Sequence, residues 1–294
     1  MAEQVIGVVG VGLMGHGIAK NIQSSGWSIG FLEHAGNQPT TDLIEKGATV
    51  YSSCAQLAKC SDVIILCVTG SPQVESVLTG PDGVLGSVKK GAVIIDCSTA
   101  IPSSTIAMSK KVEEAGAVFL DAPMTRTSKE AEEGRLNLIV GGDRAIYEAQ
   151  LPLLQSFAEN ITYAGTSGAG HTLKLLHNYV SLGYATVLSE ATAASNRAGI
   201  DPDVLHQVLA TGGGGGVVLD RLSPFMLNKD PSGLAFSLSN SAKDIAYYTK
   251  MCEDIQASDQ VANAVGGVLS DQVSKGHGEE HVPVLIELLT EASE

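Results

Sequence analysis

Residues 4–15 read Gln4-Val5-Ile6-Gly7-Val8-Val9-Gly10-Val11-Gly12-Leu13-Met14-Gly15, a β-branched apolar run that closes on glycines spaced two and three apart. The run predicts a strand over 4–10, and the residues after the glycines predict a helix. In that strand-turn-helix setting each glycine has its own task. Gly10 makes the tight turn, Gly12 lets the backbone approach a pyrophosphate, and Gly15 lets the helix pack closely on the strand. The helix N-terminus adds amides and the positive end of its dipole, so residues 10–15, with Leu13 and Met14 at the tip, form a candidate dinucleotide site.

Outward from this turn, short β-branched runs at 28–32, 62–68, 92–96 and 117–120 alternate with helix-like stretches. Such alternation predicts right-handed βαβ units and a parallel sheet, and near-continuous runs such as Val63-Ile64-Ile65-Leu66 predict strands buried on both faces. Two further strands, at 136–140 and 161–163, flank a helix at 143–157. Beyond residue 170 no strand is expected, and 172–197 reads as one long helix. The expected fold class is α/β, a Rossmann-type, doubly wound, mainly parallel sheet followed by an all-α domain. The expected division is a dinucleotide-binding domain over 1–163 and an all-helical substrate and oligomerisation domain over 164–294, joined by the long helix. That helix is apolar on nearly every side from 173 to 194, which predicts a buried spine and a homodimer or homotetramer.

Composition narrows the function. Hydrophobic residues make up 44% of 294 and charged residues 17%, which suits a packed globular chain with room for two cores. The formal charge of −14 argues against a nucleic-acid partner and requires any site for an acidic metabolite to supply its own cations. The five cysteines form no CxxC pair or Cys/His cluster, so no metal site is expected and the thiols read as reduced core residues. Without a basic leader or a membrane-length apolar run, the chain reads as cytoplasmic with no membrane partner.

Glu33 closes the second strand 23 positions after Gly10, near the roughly 20-residue offset at which an acidic side chain meets the ribose hydroxyls. A carboxylate there repels a 2′-phosphate, so NAD is the expected cofactor, with NADP the alternative that the neighbouring His34 favours. Further on, Gly168-Ala169-Gly170-His171-Thr172-Leu173-Lys174-Leu175-Leu176-His177-Asn178 places Lys174 and Asn178 four apart on an apolar helix. Burial disfavours an ammonium ion, which suits Lys174 to passing a proton; the competing reading is a lysine that reaches out to water.

Together with the glycine turn, this segment resembles the β-hydroxyacid dehydrogenase family over essentially the whole chain. Asp96-Cys97-Ser98-Thr99, Asp121-Ala122-Pro123, and Phe236 with Lys243-Asp244 complete the likeness in the right order. The resemblance implies that Lys174 is the general acid in reduction and the general base in oxidation, with Asn178 holding the substrate oxygen. It implies that Ser98 fixes substrate beside the nicotinamide, that Val68, Thr69 and Thr99 lie along the cofactor, and that Lys243 closes over the site.

The chain departs from the family after Asp-Ala-Pro. Relatives carry a small-residue turn whose amides take the substrate carboxylate, whereas this chain reads Met124-Thr125-Arg126-Thr127-Ser128. Arg126 in a glycine's place, followed by Thr127 and Ser128, is similar to the branch containing 3-sulfolactaldehyde reductase, where an anion with three oxygens meets the arginine, and Thr125 and Thr127 are candidate substrate contacts beside it. The alternative for Arg126 is an ion pair with Glu130, four residues on. The five glycines over 212–216 leave a pocket segment without side chains, so a mobile loop is expected there. The expected reaction moves a hydride between NAD(H) and a small β-hydroxy or aldehyde acid, such as 3-sulfolactaldehyde or succinate semialdehyde. The alternatives are a 3-hydroxyisobutyrate or tartronate semialdehyde type of dehydrogenase, an imine reductase, and a dinucleotide-binding interaction module without catalysis.

Overall fold

In the computed structural model, which describes residues 4–291, alternate side chains of the central strands enter opposite cores. On β1 (Val5–Val9), Ile6 and Val8 join one core and Val9 the other; on β4 (Val63–Leu66), Val63 and Ile65 join the first, Ile64 and Leu66 the second. With a core on each face, no position has to be polar, and the strands read as unbroken apolar runs.

The remaining strands are β2 (Ser28–Leu32), β3 (Thr49–Tyr51), β5 (Val93–Asp96), β6 (Val118–Asp121), β7 (Met124–Thr125), β8 (Leu136–Gly142) and β9 (Ala158–Gly165). They form one sheet in the order β3-β2-β1-β4-β5-β6-β8-β7, with β9 on β8. The first six are parallel, β8 runs antiparallel to β6, and β9 runs parallel to β8. The doubly wound, mainly parallel sheet expected from the sequence is present. Its chain order reverses between β1 and β4, so the crevice beyond their carboxyl ends is where a ligand binds in such sheets. Helices α1 (Gly15–Ser24), α2 (Thr41–Glu45), α3 (Cys54–Cys60), α4 (Ser71–Thr79), α5 (Pro102–Glu114), α6 (Ser128–Glu132) and α7 (Arg144–Leu154) connect the strands. Two strands lacked a sequence signal. β3 is three residues long with Val50 exposed, and β7 has only two residues, so neither is long enough to show a period.

Helix α8 (Ala169–Arg197) runs through the boundary between two compact units, one ending at Lys174 and the other starting at Leu175. The second unit is built from the rest of α8 with α9 (Pro202–Thr211), α10 (Val217–Asn228), α11 (Leu238–Ile255), α12 (Gln260–Gln272) and α13 (Leu285–Glu291). Its core gathers Leu182, Leu222, Phe225, Ile245, Leu269 and Leu285. Among its described residues the β-pairing is a single bridge between Ser237 and His281. The expectation that α8 is buried all round is corrected. Leu173, Leu176, Val180 and Val187 are 41%, 40%, 68% and 59% exposed, a stripe at three- and seven-residue spacing on one side of the helix. Within the glycines over 212–216, the Gly214 carbonyl accepts from the Tyr184 hydroxyl. No helix among the described residues is long and apolar enough to cross a membrane.

Candidate active site

The glycine turn has the geometry its spacing demands. Gly10 sits at φ 95°, and a Cβ there would stand 2.2 Å from the Cys67 carbonyl oxygen of the neighbouring strand end. A Cβ on Gly15 would stand 1.9 Å from the Gly10 carbonyl oxygen, so any side chain forces helix and turn apart. Gly12 differs: the nearest atom to a Cβ there is the Gly36 carbonyl oxygen at 3.6 Å, so its outer face is open to a ligand. Leu13 is exposed at the tip, Met14 is half-buried, and the Val11 amide donates to Asn37 Oδ1 at 3.3 Å.

That contact ties the turn to the loop after β2. Asn37 Nδ2 donates to the Leu32 carbonyl at 2.9 Å, and the Gln38 amide donates to the Val11 carbonyl at 2.8 Å. Glu33 and His34 are exposed at the start of this loop and line a cleft of about 430 Å³ with Phe31, Asn37, Gln38 and Thr40. The His34 ring turns back on its own loop, Nδ1 accepting from the Gly36 amide at 3.0 Å.

At the ends of β4 and β5 the chain is crossed by hydrogen bonds. The Ser98 hydroxyl accepts from the Val68 amide at 3.0 Å, and the Ser98 amide donates to Asp96 Oδ1 at 2.9 Å. Val68 and Thr99 are half-buried and Thr69 is exposed on the same edge. Asp96 is fully buried, and burial, helped by nearby Asp121, raises its carboxyl pKa against the opposing pull of His171 and Ser98. Burial also pushes Cys67 up to about 12 and Cys97 well above the usual thiol range, so neither supplies a thiolate here.

Asp121, at the end of β6, fixes the start of α8. Its Oδ1 accepts from the Gly168 amide at 2.8 Å and its Oδ2 from the His171 amide at 3.0 Å, which satisfies donors that a helix start otherwise leaves unpaired. Gly170 has no room for a side chain, since a Cβ would stand 2.4 Å from the Ile139 carbonyl oxygen and 2.7 Å from Asp121 Oδ2. One turn further on, Lys174 is buried.

The turn at Thr125, Arg126 and Thr127 is where the structure departs most from the sequence reading. Arg126 has φ 81°, the left-handed region that glycine occupies without strain. Its guanidinium Nη1 is bound to the Glu159 carboxylate and the Arg135 carbonyl, so the alternative pair with Glu130 is not formed and the fork does not stand unengaged. Glu130 instead takes the Thr127 amide at 3.0 Å and the Thr127 hydroxyl at 2.5 Å, closing a capping box on α6, and these hydrogen bonds lower its carboxyl pKa. Thr125 Oγ1 accepts from Asn137 Nδ2 at 3.2 Å.

In the second unit, Asn178 Nδ2 donates to Asp244 Oδ2 at 2.5 Å, and Lys243 Nζ lies 3.3 Å from Asp244 Oδ1. Asp244 is buried, and Asn178 Oδ1 is 3.0 Å from His177 Nδ1. Lys243 also stands over the Tyr247 ring, 5.6 Å from its centroid.

Residues 5–165 match the family model described as the NAD binding domain of 6-phosphogluconate dehydrogenase, and residues 168–289 match that described as NAD-binding of NADP-dependent 3-hydroxyisobutyrate dehydrogenase. The chain belongs to the β-hydroxyacid dehydrogenase family. Among similar proteins, 2-hydroxy-3-oxopropionate reductase of Escherichia coli (strain K12) is 34% identical over 208 residues, 70% of each chain. The 2-(hydroxymethyl)glutarate dehydrogenase of Eubacterium barkeri is 29% identical over 241 residues, 82% of this chain and 79% of the relative. In fold the chain is similar to a solved Mycobacterium tuberculosis 3-hydroxyisobutyrate dehydrogenase with L-serine, at a TM-score of 0.87 and 22% identity over 97% of this chain and 99% of the other. As a member of the family, the chain is an NAD(P)-dependent oxidoreductase of the hydroxy-acid and semialdehyde class.

The residues present fit a dinucleotide. The open face of Gly12, the dipole end of α1 and the exposed Glu33 succeed one another along one crevice edge. Among the described residues no group of three His, Cys, Asp or Glu side chains could hold a metal ion. Three residues with structural parts in this region had no assigned role in the sequence reading: Asp121, Asp244 and His171. All three stand inside quoted motifs, but partners 47 or 66 positions away have no local signature.

Proposed function

We propose that this chain transfers a hydride between NAD(H) and a small β-hydroxy acid or aldehyde acid, with Lys174 passing the proton. The observation that supports this most is the placement of Lys174 one turn beyond amides capped by Asp121, in the same unit as the hydrogen-bonded Ser98. Residues 10–15 would hold the pyrophosphate, Glu33 the ribose hydroxyls, and Val68, Thr69, Thr99 and Lys243 the rest of the cofactor. When bound, NAD(H) supplies or accepts a hydride at C4 of its nicotinamide. Ser98, its hydroxyl held by the Val68 amide, would meet the substrate beside the nicotinamide. Asn178, its amide fixed by Asp244, holds the substrate oxygen. Lys174 gives its proton to the forming alkoxide in reduction and takes it back in oxidation.

The finer assignment is an acid whose distal anion meets the turn over 125–127, with 3-sulfolactaldehyde or succinate semialdehyde as candidates. Arg126 binds Glu159 and Arg135 through Nη1, and the Nε and Nη2 edge of the fork suits an anion's paired oxygens. Similar proteins named 2-hydroxy-3-oxopropionate reductase and glyoxylate/succinic semialdehyde reductase 2 support the range of short aldehyde acids. Arg126→Ala is expected to raise KM for the anionic substrate by about tenfold with little change in kcat. An unchanged KM in steady-state assays removes Arg126 from substrate anchoring. Glu33→Ala is expected to weaken NADH binding about tenfold and to narrow the preference over NADPH, read by titrating cofactor fluorescence.

The test of the whole reading is oxidation of NADH, with NADPH in parallel, against 3-sulfolactaldehyde, succinate semialdehyde, methylmalonate semialdehyde and tartronate semialdehyde. Inactivity on all four counts against it. The exposed stripe of α8 repeats at seven residues from Leu173 through Val180 to Val187, the spacing of a seam against another helix, which supports a homodimer or homotetramer. Sedimentation that finds monomer at every concentration sinks that assembly. The free cysteines fit a cytoplasmic location.

A further inference from the structure

One turn before Lys174 stands a group that the proposed reaction does not use. His171 is fully buried on α8. Its Nε2 lies 3.1 Å from the Ser98 carbonyl oxygen, a group that can only accept. Its Nδ1 lies 2.8 Å from Thr105 Oγ1 on α5. The Thr105 hydroxyl also lies 3.2 Å from the Ile101 carbonyl, and its one hydrogen can serve either neighbour. The Ser98 carbonyl therefore requires a hydrogen on Nε2, while Thr105 pairs with Nδ1 as donor or acceptor. Asp96 Oδ2 lies 3.9 Å from Nε2, Asp121 Oδ2 lies 3.9 Å from Nδ1, and Asp96 Oδ2 has no hydrogen bond of its own.

We propose that His171 is a positioning residue: seated between Asp96 and Asp121, its ring donates from Nε2 to the Ser98 carbonyl and so ties that carbonyl to the helical turn that carries Lys174. The inference rests on the proton-transfer reading of Lys174 given above. Ser98 is held by Asp96 through its amide and by the Val68 amide through its hydroxyl, and both restraints come from the sheet. His171 adds the restraint from α8, while Asp121 holds the first turn of that helix on β6. The substrate-fixing serine and the proton donor thereby keep one separation, and a misplacement on the order of 1 Å at such a point costs about a hundredfold in rate.

Glutamine and asparagine separate the two ends of the ring. The glutamine amide N–H reaches the Nε2 position and so keeps the donor to Ser98, whereas the asparagine amide reaches only the Nδ1 position. With NADH and the fastest aldehyde of the panel, His171→Asn is expected to lower kcat about tenfold or more and His171→Gln about threefold or less, with NADH affinity unchanged in both. Equal losses in the two variants overturn the proposal, because packing alone then explains them. The wild-type protein gives a reading that needs neither variant to fold nor cofactor to bind. With ¹⁵N-labelled histidine, one slowly exchanging ring is expected to show an N–H signal at Nε2, and a buried ring that carries its hydrogen at Nδ1 alone overturns the proposal at His171 itself. Full turnover in Lys174→Ala overturns it at the other end, by removing the proton donor that the tie aligns.

Discussion

Lys174→Ala is expected to lower kcat by about a hundred- to ten-thousand-fold while NADH affinity stays within about twofold of wild type. The size follows from what the side chain would supply. An alkoxide forming in a site closed to water needs a proton at the moment of hydride transfer, and an alanine offers none. The selectivity for kcat follows from location: the residues that would hold the dinucleotide lie on the glycine turn, the ends of β2, β4 and β5 and, for Lys243, on α11, and none of them borders Lys174 in sequence. Stopped-flow hydride transfer with cofactor titration separates the two quantities. Lost NADH binding with residual chemistry intact would make Lys174 a cofactor ligand instead.

Asp121→Ala is expected to destabilise the protein by about 3–5 kcal/mol, the usual penalty for deleting one partner of a buried charged network. The carboxylate satisfies the amides of Gly168 and His171 at the start of α8 and stands 3.9 Å from the His171 ring. Alanine leaves both amides unpaired in a place water does not reach, and it leaves a cavity between β6 and α8 besides. Asp121→Asn keeps one acceptor oxygen and is expected to lose roughly half as much. Denaturant unfolding of the three proteins orders them. A loss below about 1 kcal/mol for alanine would mean that the helix start finds other partners.

Arg126 and Glu130 show how far sequence spacing reaches. Four residues apart, they satisfy the rule for a helical ion pair, but Arg126 precedes α6 in a left-handed turn, where the rule has no geometry to act on. Thr127 and Glu130 satisfy a different local rule, the capping box, which the structure does form. Gly170 makes the same point from the other side. The glycine was visible as a letter, while the reason for it, a Cβ driven into the Ile139 carbonyl and Asp121, appears only when β8, β6 and α8 come together.

What the sequence determined by itself was the doubly wound sheet, the cofactor turn and the long helix. Each of these leaves a local record: unbroken apolar strands where both faces are covered, glycines where backbone meets backbone, and apolar residues at helical spacing. Tertiary structure alone decided that Glu159 engages Arg126, that Asp244 engages Asn178, that His171 lies between Asp96 and Asp121, and that one face of α8 stays exposed. The first three share one physical reason. A hydrogen bond or ion pair is chosen by which groups the fold leaves within about 3 Å and without water, and separations of 33 to 75 residues between partners carry no period by which the chain could announce them.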